Sequence, residues 1–297
     1  MGRIVTVTPN PLFCFLAEAE VALGSTSYTG SFIPLAGGKG LCAGRLLARL
    51  GHEVIACGFL GGPFTNWMHD LVSTDGMRPA FTPTAHSIRV GFVTVAISTG
   101  ATSVFAEGFP VTSAEVEIFI ETIDRFIPDA DLLLVGGSVP DPVTCGGLLV
   151  SILELAAQHG CPCWVDSYGS PMQLALACSH PPALCKPNAS EVETAADWKL
   201  SKELHITHGA MPVKVFHPDG AFEILPPTVK ERNAIGSGDC YLAALAHARL
   251  TGETLERQLR FAVAAGAANA ASSGIADIQL RDIIDLLPHV SVRTVQE

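Results

Sequence analysis

Near the C-terminal end of the chain, two glycines and a serine precede an aspartate in the segment Gly236-Ser237-Gly238-Asp239. An apolar stretch with helical spacing follows, from Tyr241 to Leu250. The first amides of a helix have no partner within it, and the helix dipole favours negative charge there, so such a start can bind an anion. An aspartate at this place could take a proton from a hydroxyl that then attacks a phosphoryl group. The alternative is a glycine-rich turn in which Asp239 only caps the helix.

A second glycine-rich segment, Gly37-Gly38-Lys39-Gly40, opens another predicted helix early in the chain and offers backbone amides and an ammonium group. Its lysine is followed by glycine instead of serine or threonine, so it is not a Walker loop. Gly38, Gly40 and Ala43 match a loose dinucleotide fingerprint. However, the next strand ends at Cys57-Gly58 without the acidic residue that dinucleotide sites use. The two segments together favour phosphoryl transfer over hydride transfer.

Apolar strands and helices alternate along the chain, as in a parallel sheet covered on both faces. We predict strands at 4–8, 53–57, 88–97, 102–106, 132–135, 163–166 and 183–186, and helices at 113–126, 143–158 and 172–177, besides the helix that stops at Gly51. A short-stranded excursion is predicted over 21–33. Polar loops follow three strands, at Gly136-Gly137-Ser138, Asp166-Ser167-Tyr168-Gly169 and Lys186-Pro187-Asn188. Ligands in open α/β sheets lie at the carboxyl ends of strands, so these loops are candidates for the site.

Composition narrows the classes of partner. The 297 residues include 29 acidic and 18 basic side chains, a formal net charge of −11, and no basic stripe, so nucleic acid is not expected as a partner. No apolar run reaches the length of a membrane span, so no membrane association is expected. Nine scattered cysteines without disulfide spacing favour reduced thiols in a cytoplasm. Arg45 and Arg49, one turn apart on the first predicted helix, are expected to face solvent or an interface.

The order of these segments resembles the PfkB/ribokinase family of carbohydrate kinases, in the branch that includes 1-phosphofructokinase and tagatose-6-phosphate kinase. The resemblance covers nearly the whole chain. Besides the two glycine-rich segments it rests on Thr8-Pro9-Asn10-Pro11, Gly136-Gly137-Ser138-Val139-Pro140, Asp166-Ser167-Tyr168-Gly169 and Lys186-Pro187-Asn188-Ala189-Ser190-Glu191. It implies a ribokinase-like three-layer α/β/α sandwich with a mostly parallel sheet. It also implies a single domain over 1–297, a small β-sheet lid from about 12–35 and 87–108, and a homodimer formed through that lid.

The resemblance also implies ATP-dependent phosphoryl transfer to a hydroxyl of a small sugar phosphate, of the fructose 1-phosphate or tagatose 6-phosphate type. Asp239 would be the general base, and the amides of Gly236, Ser237 and Gly238 would stabilise charge on the transferring group. The implied substrate-binding residues are Asn10, Gly37, Gly38, Lys39, Arg89 and Ser138, with Lys39 and Arg89 on the existing phosphate. The implied nucleotide-binding residues are Lys186, Asn188, Thr207, Gly209 and Asn269. Glu191 and Asn188 would act on Mg²⁺ through water.

Several positions depart from the family pattern on the sugar side. Cys14 replaces an aspartate, Cys42 replaces an asparagine, and the strand Arg89-Val90-Gly91-Phe92-Val93 lacks the asparagine and second cation of an R-x-N-x-K pattern. A thiol is a weak hydrogen-bond partner, and losing a buried partner costs about 1–3 kcal/mol. Two hypotheses therefore remain. Either the acceptor is different and less polar, or the chain is a kinase-fold protein that binds a ligand or regulates a partner without efficient catalysis.

The nucleotide side departs as well. Pro212 stands where the second glycine of a T-x-G-x-x-G-like turn is expected, and because proline lacks an N–H, the turn would lose one amide. The chain over 191–206 is about one helix shorter than the family pattern. His205 and His208 are three apart on a predicted strand, which places them on opposite faces and disfavours a metal site.

Overall fold

The computed structural model describes residues 1–21, 24–96, 98, 100–192 and 198–295. Its strands are β1 Arg3–Thr8, β2 Leu12–Glu18, β3 Ile33–Gly37, β4 Glu53–Leu60, β5 Arg78–Pro83, β6 Arg89–Ala96, β7 Gly100–Phe105, β8 Leu132–Gly136, β9 Cys163–Asp166, β10 Leu184–Cys185, β11 Leu204–His208, β12 Met211–His217, β13 Gly220–Leu225 and β14 Ser291–Val295. The helices are α1 Lys39–Arg49, α2 Thr65–Thr74, α3 Ser113–Asp124, α4 Leu148–Gln158, α5 Gly169–Ala177, α6 Ser237–Leu250, α7 Leu255–Ala271 and α8 Leu280–Leu286. Short 3₁₀ turns lie at Ile127–Asp129 and Leu287–His289.

A ten-stranded sheet in the order β14-β13-β12-β11-β10-β9-β8-β1-β4-β5 forms the centre of the molecule. Within this sheet the seven neighbouring strands β11, β10, β9, β8, β1, β4 and β5 are parallel. The strands β12, β13 and β14 extend the sheet with antiparallel pairs. The carboxyl ends of β1, β8, β9 and β10 therefore meet along one edge. The polar loops singled out in the sequence follow these strands, so the fold brings them together.

Helices cover both faces of this sheet. Alternate residues of a strand point to opposite faces, and β4 shows this directly. Val54 lies against Gly44 of α1, whereas the Phe59 ring lies 4.3 Å from the ring of Phe119 in α3. The central strands are buried apolar runs, as expected for a sheet covered twice. The predicted three-layer α/β/α class with a mostly parallel sheet is confirmed.

The four-stranded sheet, in the order β3-β2-β6-β7, is the predicted lid. Its middle pair, β2 and β6, is parallel, and both outer pairs are antiparallel. An aromatic stack joins the lid to α2, with the Phe13 ring 4.3 Å from Phe64 and 5.4 Å from Trp67. No helix within the described ranges is long and apolar enough to cross a membrane.

Several local predictions were wrong. The helix predicted at 143–158 begins only at Leu148, because the Asp141 carboxylate accepts the amides of Val143 and Thr144 and forms a separate turn. The excursion over 21–33 contains no strand before β3 among its described residues, which are rich in glycine, serine and threonine. The helix α2 and the strands β5, β12, β13 and β14 were not predicted.

The two arginines of α1 do not form a solvated face. Arg45 is 4% exposed; its guanidinium donates to the Asp75 carboxylate at 2.7 Å and to the carbonyls of Ala36 and Ile275. Burial alone would lower the pKa of Arg45, but its anionic neighbours raise it. Arg49 is partly buried and pairs with Asp277 at 2.6 Å. The prediction of a solvated or interface face was wrong because Asp75, Ile275 and Asp277 lie far from α1 in the sequence, so the local spacing does not reveal them.

Candidate active site

A buried network of charges occupies the carboxyl edge of the large sheet. Lys39, the first residue of α1, donates to Asp166 Oδ1 at 2.7 Å and to Glu191 Oε1 at 3.0 Å. Lys186, which follows β10, lies 3.0 Å from Asp166 Oδ2. Burial alone would raise the pKa of Asp166, but Lys186 and Lys39 hold it below its usual range. For Lys39, burial would lower the pKa, and Asp166 and Glu191 instead raise it. Asp166 therefore links Lys39 and Lys186, two predicted site residues, although Asp166 itself was not predicted to be one.

The segment around Asp239 forms a helix start without a side-chain cap. Gly236 is the N-cap residue of α6, with a φ of 87°, a left-handed conformation that favours glycine. Asp239 lies in the first turn, is buried, and does not cap the helix. The structure thus disagrees with the interpretation of Asp239 as a plain cap. A Cβ on Gly238 would lie 2.8 Å from Lys186 Nζ, so backbone and ammonium group approach each other closely here.

The environment of Asp239 favours a protonated carboxyl. Burial raises its pKa to about 7, and the negative charge of Asp166 acts in the same direction. Lys39, Lys186 and a hydrogen bond with the Cys42 thiol oppose the rise. Burial, together with the charge of Asp239, also raises the pKa of Cys42 to about 12, so this thiol is a neutral donor. A carboxyl whose pKa lies near neutrality can both accept and release a proton, as a general base requires.

Asn269 supports the glycine loop from behind. It is fully buried; its amide donates to the Ile235 carbonyl at 2.9 Å and to Ser237 Oγ at 3.0 Å, and its oxygen accepts the Ala276 amide at 2.8 Å. These contacts use the side chain within the protein. Asn269 was predicted to bind the nucleotide, and that role stays a prediction; the structure shows its side chain bonded to the loop, because α7 passes directly behind the start of α6.

On the lid side, Asn10 connects three segments. Its amide donates to Ser138 Oγ at 3.0 Å and to the Glu107 carbonyl at 3.2 Å, while its own carbonyl accepts Arg89 Nη2 at 3.0 Å. Asn10 Oδ1 and Arg89 Nε are buried and have no hydrogen-bond partner among the described residues. The predicted residues Asn10, Arg89 and Ser138 are therefore brought together.

Arg89 and Lys39 differ in how their charges are balanced. Lys39 has two carboxylate partners, whereas no described carboxylate forms an ion pair with Arg89. Burial lowers the pKa of Arg89, and Tyr168 partly opposes this effect. Tyr168 also lies under Lys39, whose Nζ is 5.5 Å from the ring centroid. This tyrosine follows β9 and was not predicted as a site residue.

The glycines at the start of α1 allow close approach to β1. Gly38 has a φ of 123°, and a Cβ there would lie 2.4 Å from Thr8 Cγ2. Gly37 immediately precedes it at the end of β3. The helix start and Lys39 are thereby held against the end of β1, beside Asn10.

A compact turn follows β10 on the predicted nucleotide side. Asn188 Oδ1 accepts the amides of Ser190 and Glu191 at 2.9 and 3.0 Å, and the Asn188 amide donates to Glu191 Oε2 at 2.9 Å. Thr207 lies beside this turn, bridged to Asn188 and donating its amide to the Pro187 carbonyl at 3.1 Å. Asn188, Glu191 and Thr207 are thus neighbours.

The predicted glycine turn after β11 is a tight hairpin. Gly209, with a φ of 55°, and the following residue connect β11 to β12. His208, the last residue of β11, pairs with Met211, the first residue of β12. Pro212 lies within β12, near a register shift, and so does not belong to the connecting turn. The segment 191–206, predicted to be about one helix shorter than the family pattern, includes residues 193–197, which lie outside the described ranges.

The histidines and cysteines form no metal centre in the described ranges, where no group of three or more His, Cys, Asp or Glu side chains could hold an ion. His205 is fully buried and His208 is exposed. All nine cysteines are free. Cys14 is buried in β2, between Leu35 and Gly91 on the neighbouring strands.

An amide-lined helix start, two lysines that share a buried aspartate, and a carboxyl of raised pKa at the edge of an α/β sheet are features of α/β small-molecule kinases. The chain belongs to the pfkB family of carbohydrate kinases, whose family model matches residues 16–281. This finding confirms the predicted family and enzyme class.

Similar proteins carry kinase names. The chain is 26% identical over 292 positions to the tagatose-6-phosphate kinase of Staphylococcus epidermidis, with 90% of this chain and 92% of that protein covered. It is 28% identical over 312 aligned positions to the 1-phosphofructokinase of Haloferax volcanii, with 99% of both covered. These names do not favour the alternative of a kinase-fold protein without efficient catalysis.

Solved structures show the same fold. A possible 1-phosphofructokinase of Thermotoga maritima superposes with a TM-score of 0.87 at 18% identity, covering 99% of this chain and 100% of that one. Phosphofructokinase-2 of Escherichia coli, in complex with substrates and products, gives a TM-score of 0.82 at 20% identity, covering 96% and 98%. At these identities the likeness concerns the fold alone.

Proposed function

We propose that this protein transfers a phosphoryl group from ATP to a hydroxyl of a small sugar phosphate, with Asp239 as the general base. The observation that carries the proposal is the placement of Asp239. Its carboxyl is buried, does not cap α6, has a pKa raised to about 7, and lies among Lys39, Lys186 and an amide-lined helix start. A base in this environment serves a reaction that removes a proton beside an anion.

The transfer would be a single in-line displacement. Asp239 accepts the hydroxyl proton while the acceptor oxygen bonds to the terminal phosphorus of ATP, and the bridging oxygen leaves with ADP. The amides of Gly236, Ser237 and Gly238 meet the charge that develops on the transferring group, and Lys186 lies close enough to share this role. Asn269 holds the loop in place, so these donors are preorganised.

Glu191 and Asn188 are proposed to act on Mg²⁺ through water. Each Glu191 oxygen already accepts one hydrogen bond, from Lys39 or from the Asn188 amide, and each keeps a lone pair that a metal-bound water could reach. Mg²⁺ usually keeps several waters and binds mainly to substrate phosphates, so this donor set fits an indirect role. When bound, the ion would supply positive charge to the phosphates.

Arg89 is proposed to bind the phosphate that the acceptor already carries. Its charge has no described carboxylate partner. The side-chain oxygen of Asn10 beside it, Oδ1, can accept a hydrogen bond from a hydroxyl of the sugar phosphate. Lys39, by contrast, is already paired twice, so its part in phosphate binding would require exchange of one partner. Cys14 and Cys42 are proposed to make the rest of the acceptor pocket less polar than the family pattern.

An ADP-release assay with a panel of acceptors tests the function. The panel contains fructose 1-phosphate, tagatose 6-phosphate, fructose 6-phosphate and their unphosphorylated sugars, with ATP and Mg²⁺. We expect turnover only with phosphorylated acceptors, and its loss in Asp239→Asn with nucleotide binding retained. Asp70→Asn, an exposed carboxylate exchange on α2, is the matched control. Turnover by Asp239→Asn equal to that of Asp70→Asn would remove Asp239 from its proposed role.

A homodimer through the lid is proposed as the assembly. The lid presents the exposed residues Phe32, Val90 and Val104, with Val104 71% exposed; Phe92 connects Phe32 to Val104, and a contiguous exposed apolar patch is typical of an interaction surface. Phosphofructokinase-2 of Escherichia coli, a structural neighbour, has a tetrameric form. Light scattering should give a dimer mass for the wild type and a monomer mass for Val104→Lys. Val143→Lys, at a 95% exposed valine outside the lid, should stay dimeric. A monomeric wild type would refute this assembly.

A further inference from the structure

A second buried polar cluster lies away from the charges that the proposed reaction uses. It consists of Glu203 and His205 at strand β11 and of Tyr241 and Arg249 on helix α6, and we call it the α6 clamp. Arg249 binds Glu203 with two parallel hydrogen bonds of 2.9 Å. His205 Nε2 lies 2.6 Å from Glu203 Oε1, and His205 Nδ1 lies 2.5 Å from the Tyr241 hydroxyl.

The hydrogen-bond pattern has one consistent direction. Burial would raise the pKa of Glu203, but bonds from His205 and Arg249 lower it to about 2, so Glu203 is an ionised acceptor. His205 must then donate from Nε2, and since burial lowers its pKa, its Nδ1 is an acceptor. The Tyr241 hydroxyl therefore donates to Nδ1. His217 lies 4.0 Å from Glu203 and adds a third, weaker partner.

The clamp fixes both the position and the rotation of α6. Tyr241 and Arg249 are eight residues apart, about 12 Å along the helix axis, and they bind neighbouring residues at β11, Tyr241 binding His205 and Arg249 binding Glu203. Arg249 also lies over the Trp164 ring of β9, 4.8 Å from its centroid. Much of the rest of α6 is buried in apolar contacts, which are not directional, and the bonds of Ser237 to Asn269 and of His247 to His52 lead to residues outside the strands of the sheet. The directional contacts of the clamp therefore set the register of the helix against the sheet.

Asp239 shares this helix with Tyr241. The two residues are two positions apart, which corresponds to about 200° around the helix, so their side chains point to nearly opposite sides. A rotation of α6 that moved the Tyr241 hydroxyl would move the Asp239 carboxyl by a similar amount. We propose that His205 and Tyr241 are positioning residues that aim Asp239 at the acceptor hydroxyl by holding α6 against β11.

This inference rests on the proposed function for the role of Asp239, but the holding of α6 can be measured without it. Tyr241→Phe and His205→Gln each remove the bond between Tyr241 and His205. His205→Asn keeps an acceptor at the Nδ1 position. Thr82→Val is the matched control, because Thr82 is fully buried and its hydroxyl bonds Thr122 at 3.2 Å on the other side of the sheet from α6.

Two readouts are combined. Hydrogen exchange of the α6 amides from Cys240 to Leu245 should quicken about tenfold in Tyr241→Phe and His205→Gln, since one buried hydrogen bond is lost. It should change less in His205→Asn, which loses the bond to Glu203 but keeps the bond to Tyr241 while Arg249 still holds Glu203, and little in Thr82→Val. The kcat should fall about tenfold in the first two variants, with both KM values within twofold and an unshifted pH midpoint, because the aim of the base changes and its identity does not.

Unchanged exchange in both Tyr241→Phe and His205→Gln would overturn the inference whatever the activity. Faster exchange with an unchanged kcat would also overturn it, since the clamp would then only stabilise the fold. Faster exchange in a protein whose wild type phosphorylates no acceptor would refute the proposed function and still support the clamp as the device that holds α6. Should Tyr241→Phe fail to fold, the contrast between His205→Gln and His205→Asn decides.

Discussion

Replacing Asp239 by asparagine should stabilise the protein at neutral pH while it removes the proposed base. The pKa of Asp239 rises from an ordinary 3.8 to about 7 in the folded protein, chiefly by burial. The folded state therefore holds a proton that the unfolded state releases. The stabilising contribution of the protonated carboxyl is fully present below about pH 4 and is lost as the pH rises to about 7.

The magnitude follows from the size of the rise. Each pKa unit corresponds to about 1.4 kcal/mol, so a rise of about three units costs the wild type up to about 4 kcal/mol of unfolding free energy above pH 7. Asparagine has a similar shape and no charge to bury. The stability difference between Asp239→Asn and the wild type should therefore grow with pH and level off above pH 7.

Urea unfolding of both proteins at intervals from pH 4.5 to 8.5 measures this difference. Asp70→Asn serves as the control, and its difference from the wild type should stay flat because Asp70 is exposed. A flat difference for Asp239→Asn would show that Asp239 is already ionised throughout the range, and the account of a buried base with a raised pKa would be wrong.

Three further outcomes are expected. Arg89→Ala should raise the KM of a phosphorylated acceptor about 10- to 100-fold with less change in kcat, because a charge-assisted hydrogen bond contributes about 1.5–3 kcal/mol. Steady-state kinetics measures both constants, and a fall in kcat alone would contradict this role of Arg89. Gly236→Ala should lower the unfolding free energy by about 1 kcal/mol and reduce kcat, because its φ of 87° strains any other residue; a melting curve unchanged from the wild type would argue against this strain. Cys14→Asp combined with Cys42→Asn should improve kcat/KM for fructose 1-phosphate, and the idea of a less polar pocket fails if that ratio stays the same.

The sequence was most informative where chemistry and local structure coincide. The segment from Gly236 to Asp239 carries both a helix start and a carboxylate within four residues, so its structure could be predicted without knowledge of distant contacts. The same holds for the strands of the parallel sheet, which are short apolar runs. The polar loops after β8, β9 and β10 could be expected to meet because parallel strands end at one edge of the sheet.

Features that depend on distant partners were missed. The bonds of Asn269 to Ile235 and Ser237 join residues 34 and 32 positions apart, which no local pattern reveals. Arg45 is buried because Asp75 and Ile275 supply acceptors that no local pattern reveals. Asp166 could have been found, since a carboxylate directly after a buried strand is costly without a cation nearby.

The strands β12 to β14 were not predicted, for a related reason. These strands form an antiparallel extension, and β14 pairs with β13 across about 70 intervening residues. Their stability depends on cross-strand contacts, so a window of local sequence contains little of the information. The roles of the site residues, the single domain and the cytoplasmic location stay predictions.

The sharing of Asp166 by two ammonium groups affects how ligands would arrive. Lys39 and Lys186 share Asp166, and Lys39 also pairs with Glu191, so the two positive and two negative groups of this network nearly cancel. The chain as a whole carries a formal charge of −11, which repels phosphorylated molecules at a distance. Encounter therefore gains nothing from electrostatic steering, and added salt, which screens the long-range repulsion, should speed association instead of slowing it.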